Sequence, residues 1–514
     1  MKALLILIVS QILVFGSLMG QDNVAVRSSY NFFSRGVKKL ETADYAGAAK
    51  DLDKAIELNP ELTEAFFKRG IARYELLMYR EAVPDFTRTL QLNAADPEVH
   101  LYRGICYYQL KEYSTALEDL NRSLQVNPSN KKTVFYRGIV FYHRKNYMEA
   151  INDLTRAIEM KIDNPDAYLY RGDAYAMTGD PNSAHSDYSQ VIAMYPRNTQ
   201  AYLKRGRIRT EMRDYSGAES DLRLATRQDS TDMQTFMELG LLQSTMERYD
   251  AAIPTYSIIL AKQPSDSAAL MERGIAYFMT NQLDPASADF NRIIEKHKRA
   301  DTAYFYNGLI FAEQGELAGA IMEFSQAIKI NPKFPEAYTY RGNARQEIGE
   351  VRGALEDYGK ALELQPNNTL VMLQRGRALE QTGDYVGAVD DLNKVLELDP
   401  KNSEAYMYRC RTKVSSGEFV GAIQDCSESL NLQPGYSDAL IQRARAKHFM
   451  SDHRGALKDC NEVLATTPDA AGALFIRGLS LIQLGKKNEG CLDLSKAGEL
   501  GETKAFEKIM QLCN

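Results

Sequence analysis

Glycine returns every 34 residues through almost the whole chain, and this period constrains the fold more than any other feature. Gly36, Gly70, Gly104 and Gly138 open a register that runs unbroken to Gly376; Cys410 and Ala444 hold the next two places and Gly478 the last. A strict period of this length marks stacked helical hairpins, each packed only on its neighbours around a shared core. The 514 residues then need no division into separate globular domains.

With the glycine at position 8, the units run from 29–62 to 471–504, fourteen in all. In 97–130 the apolar spacing predicts one helix from Pro97 to Gln109 and a second from Tyr113 to Val126, with Asp96 as the cap before a helix-opening proline. Position 20 is alanine in thirteen units, as in Ala48 and Ala116, and position 24 is usually large, as in Leu52 and Phe86. Small residues at 8 and 20 let the two helix axes approach. Proline at position 32 in nine units ends the second helix. Residues 505–514 predict a further helix, with Phe506, Ile509 and Met510 on one face to cover the end of the stack.

An aromatic at position 4, glycine at 8, alanine at 20, a large residue at 24 and proline at 32, spaced by 34, resemble the tetratricopeptide repeat family over about nine-tenths of the chain. The family's tryptophan slot holds Phe32, Tyr168 or Tyr406, and the chain has no tryptophan. The resemblance implies an all-α, right-handed superhelical solenoid whose first helices line a concave, ligand-binding groove.

Two further columns stand out. Position 7 is arginine in 12 of 14 units and position 23 is aspartate in 12, and both are lost together in the units holding Leu239 with Thr255 and Asn307 with Glu323. Joint loss predicts a physical pair: Arg69 with Asp85, Arg103 with Asp119, Arg137 with Asp153, within a repeat or between neighbours.

On the family's groove map, positions 9 and 12 of the early repeats give Ile71, Tyr74, Ile105, Tyr108, Ile139 and Tyr142 as an apolar, aromatic segment for a peptide. Arg377, Arg411 and Arg445 follow at position 9 of three consecutive late repeats, as candidates to hold carboxylates or to pair with Glu404 and Asp438. The lysine and asparagine set with which some family members clamp a peptide's C-terminal carboxylate is absent; position 5 is apolar nearly throughout, as in Phe33 and Leu101.

Residues 1–20 read as a secretory signal, one lysine followed by an apolar run, with cleavage near Gly20–Gln21; the rival is an uncleaved anchor. Six cysteines are too few to staple the chain; Cys410 and Cys426 share a repeat and are candidates to meet, against a bland reading as small buried thiols. Net charge is −6 with mixed signs, and no basic run points to nucleic acid. The six histidines match no metal-ligand spacing, and no catalytic motif or phosphate loop has room outside the repeats.

The chain is therefore expected to be a non-catalytic scaffold binding protein or peptide partners, with no cofactor, metal, nucleic acid or small-molecule substrate, and touching a membrane only through an uncleaved leader. It is expected to be exported, to a periplasm or cell envelope first, with a secreted or lumenal place as alternatives. The competing functions are a co-chaperone holding unfolded clients and a regulatory subunit docking an exported enzyme.

Overall fold

The computed structural model describes residues 26–93, 96–297 and 299–513. The stretch read from sequence as a secretory signal, 1–20, lies outside the described residues. The chain divides into two compact units, one up to Arg248 and one from Tyr249 onward. Each is an all-α solenoid of paired neighbouring helices; the first unit runs from a helix over 26–41 to Met233–Thr245, the second from Tyr249–Lys262 to Lys504–Leu512. Among the described residues no helix is long and apolar enough to cross a membrane.

The helices start and stop where local chemistry dictates. Pro97–Gln109 and Tyr113–Val126 run as the sequence predicts, and the Asp96 carboxylate accepts from the amides of Glu98 and Val99. Asn130, Asn198, Asp266 and Asn402 cap other first helices from the same last position of the repeat. Each turn inside a hairpin puts position 15 in the left-handed region. Glycine fills it at Gly179 and Gly383, but Leu77 is held there at φ 60°. A non-glycine residue pays roughly 1 kcal/mol for that conformation. Leu77 is also 69% exposed, so it gains little from packing. Leu77→Gly is expected to raise stability by about 1 kcal/mol, read by chemical denaturation; an unchanged or lower midpoint would contradict this.

The 34-residue glycine is a packing requirement. A Cβ at Gly308 would lie 2.5 Å from the Phe324 ring, and one at Gly70 would lie 2.6 Å from Phe86. Position 24 thus fills the space that position 8 leaves. Where position 8 carries a side chain, position 24 shrinks: Cys410 faces Cys426 in a disulfide, with Cα atoms 5.4 Å apart, and Ala444 shares its repeat with Cys460.

A second disulfide joins Cys491 to Cys513 and ties the last helix to the final hairpin. This corrects the expected packing of that helix. Ala505 is buried and Ile509 partly so, in line with Cys513 at intervals of four, whereas Phe506 is 57% and Met510 71% exposed. The covalent tie selects the face. The two free thiols, Cys106 and Cys460, are buried, and burial pushes each up to about 12, so neither is a ready nucleophile.

The arginine and aspartate columns meet. Arg171 Nε and Nη2 donate to the two Asp187 oxygens at 2.9 and 2.7 Å, while Nη1 reaches back to Thr155 of the preceding repeat at 3.0 Å. Arg103 does the same with Asp119 at 2.7 and 2.8 Å and Thr87 at 3.0 Å. Arg137 does so with Asp153 at 2.6 and 2.9 Å and Asn121 at 2.9 Å. Arg69 binds Asp85 at 2.6 Å and Asp53 of the repeat before at 2.6 Å. One guanidinium thus fastens a hairpin internally and to its neighbour.

The rung at Asn307 is incomplete. Its Nδ2 keeps the backward bond, to Asn291 at 2.8 Å, but its Oδ1 and Glu323 Oε2 are buried with no partner among the described residues. Burial raises the Glu323 carboxyl above its ordinary value. A raised folded value favours the protonated acid, so stability from this group is complete below the ordinary carboxylate range and is lost as pH rises through the folded value. Glu323→Gln is expected to stabilise at neutral pH, with the gain vanishing towards pH 4. Melting curves across that window check it, and a gain independent of pH would refute the assignment.

Candidate functional site

The most distinctive surface lies on the first helices of the first unit. Thr63–Glu75, Pro97–Gln109, Lys131–His143 and Asp166–Met177 each contribute tyrosines from position 6, position 12 or both. Tyr74 meets Tyr102 edge to face at 5.3 Å, Tyr108 meets Tyr136 at 6.1 Å, and Tyr142 meets Tyr170 edge to face at 5.3 Å. His143 links two of these pairs, lying 5.7 Å from both Tyr108 and Tyr170. All six tyrosines are half-buried. Burial raises each phenol, that of Tyr142 to about 12, so they stay neutral donors at physiological pH.

Position 9 behaves differently from the sequence expectation. Ile105 is 0% and Ile139 3% exposed, and only Ile71 keeps partial exposure. Tyr74, Tyr108 and Tyr136 pack over Ile105 and its neighbours, so Ile105 and Ile139 form the floor beneath the rings and present no surface of their own. The lining residues that the sequence reading missed are Tyr102, Tyr136 and Tyr170 at position 6. Their signal was visible as tyrosine in three consecutive repeats.

This face is polar as well as aromatic. Lys132 Nζ sits over the Tyr102 ring at 4.7 Å, where burial lowers its pKa. An apolar floor, half-buried rings and hydroxyl tips together suit an extended chain with bulky side chains.

In the second unit the three position-9 arginines part company. Arg377 and Arg411 both stack on the Tyr408 ring, at 5.1 and 4.8 Å. Arg411 Nε is also bonded to Glu380 at 2.8 Å. The ion-pair partner is therefore Glu380 of the preceding repeat, in place of the Glu404 and Asp438 considered from sequence. Glu380 lies on Thr369–Thr382, the first helix of the preceding repeat, within hydrogen-bond reach of the guanidinium. Among the described residues Arg445 has neither an ion pair nor a hydrogen bond. Among the described residues no group of three or more His, Cys, Asp or Glu is placed to hold a metal ion.

Comparison with known proteins agrees with this architecture. A TPR repeat model matches residues 138–179 and 308–349, and tetratricopeptide repeat models match 97–130, 178–232, 237–295 and 341–403. Together these stretches span more than half of the chain. No curated protein matches. Among solved structures, a tetratricopeptide repeat protein from Parabacteroides merdae is similar at 20% identity, over 48% of this chain and 99% of its own, with a TM-score of 0.41. The APC/C hetero-tetramer Cut9-Hcn1 is similar at 13% identity over 97% of this chain and 98% of that one, with a TM-score of 0.40. MamA protein is similar at 26% identity over 33% of this chain and 93% of its own, with a TM-score of 0.29. The repeat-model matches, on hairpins whose glycine, alanine and proline columns follow the family pattern, place this chain in the tetratricopeptide repeat family.

Proposed function

We propose that this chain is an exported, non-catalytic scaffold that binds protein or peptide partners along its first helices, with residues 29–504 as fourteen repeats and the stretch from 505 as their cap. The tyrosine face from Tyr74 to Tyr170 carries this reading. Tyrosine is enriched at binding hot spots because it offers a large rigid area and a hydroxyl at low entropic cost. Two disulfides support a place in an oxidising compartment, since such bonds are rare in reducing cytosol. A periplasm or envelope is the first such place for a chain whose opening residues resemble a secretory signal.

A photo-crosslinker at Tyr108, used in the exporting cell, tests the reading. One dominant partner is expected, and the double variant Tyr108→Ala, Tyr136→Ala should weaken its binding about 10- to 100-fold. Capture of many unrelated unfolded chains would favour a holdase instead. Undiminished binding by the double variant would remove the tyrosine face from the interface.

A further inference from the structure

Arg445 is an anomaly. It lies in Ser437–Phe449, and it is largely covered. Elsewhere in the described structure a guanidinium this enclosed has a carboxylate, an amide or an aromatic ring against it. Arg445 has none, and the carboxylate of Glu502 acts on it only at a distance. Its nitrogens are not sealed off with unmet hydrogen bonds, unlike Arg377 Nε, so they retain contact with solvent. One turn earlier on the same helix, Gln442 Oε1 is buried and has no donor. A recessed cation and an unmet amide oxygen therefore sit at i and i+3, on one helix face.

Two covalent ties flank this pair in sequence. The hairpin carrying Arg445 lies between the two disulfides in sequence: Cys410–Cys426 fastens the preceding repeat, and Cys491–Cys513 fastens the last hairpin to the terminal helix. Preorganisation of this kind lowers the cost of ordering a site on binding. Leaving a cation without a counter-charge in a partly desolvated recess is unfavourable, and an incoming anion feels it strongly.

We propose that Arg445 forms an anchor for an acidic side chain of a bound peptide. The guanidinium takes the carboxylate through two parallel N–H···O bonds. A singly charged carboxylate fits better than a phosphate. A phosphate calls for a second cation, and the neighbouring Arg377 and Arg411 are engaged by Tyr408 and Glu380. The inference rests on the peptide-binding reading and adds to it a preference for acidic segments at this end of the second unit.

Titration calorimetry on the intact, oxidised chain tests it, with a peptide of alternating glutamate and glycine, acetylated and amidated at its ends. This peptide is expected to bind, its glutamine counterpart to fail, and a free C-terminus to add nothing. Arg445→Gln should weaken binding by at least about tenfold. Arg445→Lys should retain part of it, and Arg352→Gln, at an exposed arginine of another helix, should change nothing. Without peptide, Arg445→Gln should melt no lower than the wild type, which separates lost binding from lost folding. The anchor is overturned if the wild type ignores the glutamate peptide, if Arg445→Gln binds it equally, or if affinity follows the free C-terminus. In each of those cases crosslinking through Tyr108 reports separately whether the broader peptide-binding reading stands.

Discussion

Asp187→Ala is expected to cost about 3–5 kcal/mol, the largest single-residue loss among the changes considered. The carboxylate side chain is 6% exposed and takes both of its hydrogen bonds from Arg171, whose side chain is 15% exposed. Removing it leaves the guanidinium beneath the surface with only the Thr155 hydroxyl as acceptor. The stranded charge dominates the cost, so Arg171→Met made together with Asp187→Ala should recover part of the loss. Urea unfolding of the four proteins in the double-mutant cycle measures the coupling, expected at about 1–3 kcal/mol; additive effects would mean that the pair contributes nothing as a pair. Because each hairpin bonds only to its neighbours, the damage should appear as an early, partial unfolding step.

Gly308→Ala comes second, with a net loss of about 2 kcal/mol. Two effects oppose each other. Alanine is better than glycine in a helix interior by about 1 kcal/mol. Against this, the new methyl would lie 2.5 and 2.6 Å from two carbons of the Phe324 ring, which is 0% exposed and has nowhere to move. Overpacking of this kind costs about 1–3 kcal/mol, with a near-contact this short at the upper end or above it. Gly359→Ala isolates the first effect, because a Cβ there meets nothing within 4 Å. It should stabilise by about 1 kcal/mol. Adding Phe324→Cys to Gly308→Ala should recover part of the loss, since Ala444 already shares a repeat with Cys460. Equal melting temperatures for Gly308→Ala and Gly359→Ala would show that the glycine column is not a packing requirement.

Much of this was legible in one sequence because a repeat supplies its own comparisons. The joint loss of arginine and aspartate at Leu239 with Thr255, and at Asn307 with Glu323, pointed to paired charges before any distance was known. The backward bond of the same arginine was equally available and went unread. Position 25 offers Thr87, Asn121, Thr155 and Ser189 as acceptors, and it is Arg223 ahead of the repeat whose position 7 is Leu239. The tyrosines at position 6 were hidden by a groove map that looked at positions 9 and 12. Exposure of Ile105 could not be judged from its position, because coverage depends on side chains that lean over from the next repeat.

Periodicity alone determined the hairpins, their caps, their turns and the residues that pair within a repeat. All of these depend on contacts between residues fewer than 34 apart, and the sequence samples that arrangement many times over. Tertiary structure alone decided which arginine lacks a partner, which face of the last helix is buried and that Cys491 joins Cys513. Those outcomes turn on single side chains meeting across neighbouring repeats or at the end of the stack, where no second copy of the arrangement exists to reveal the rule.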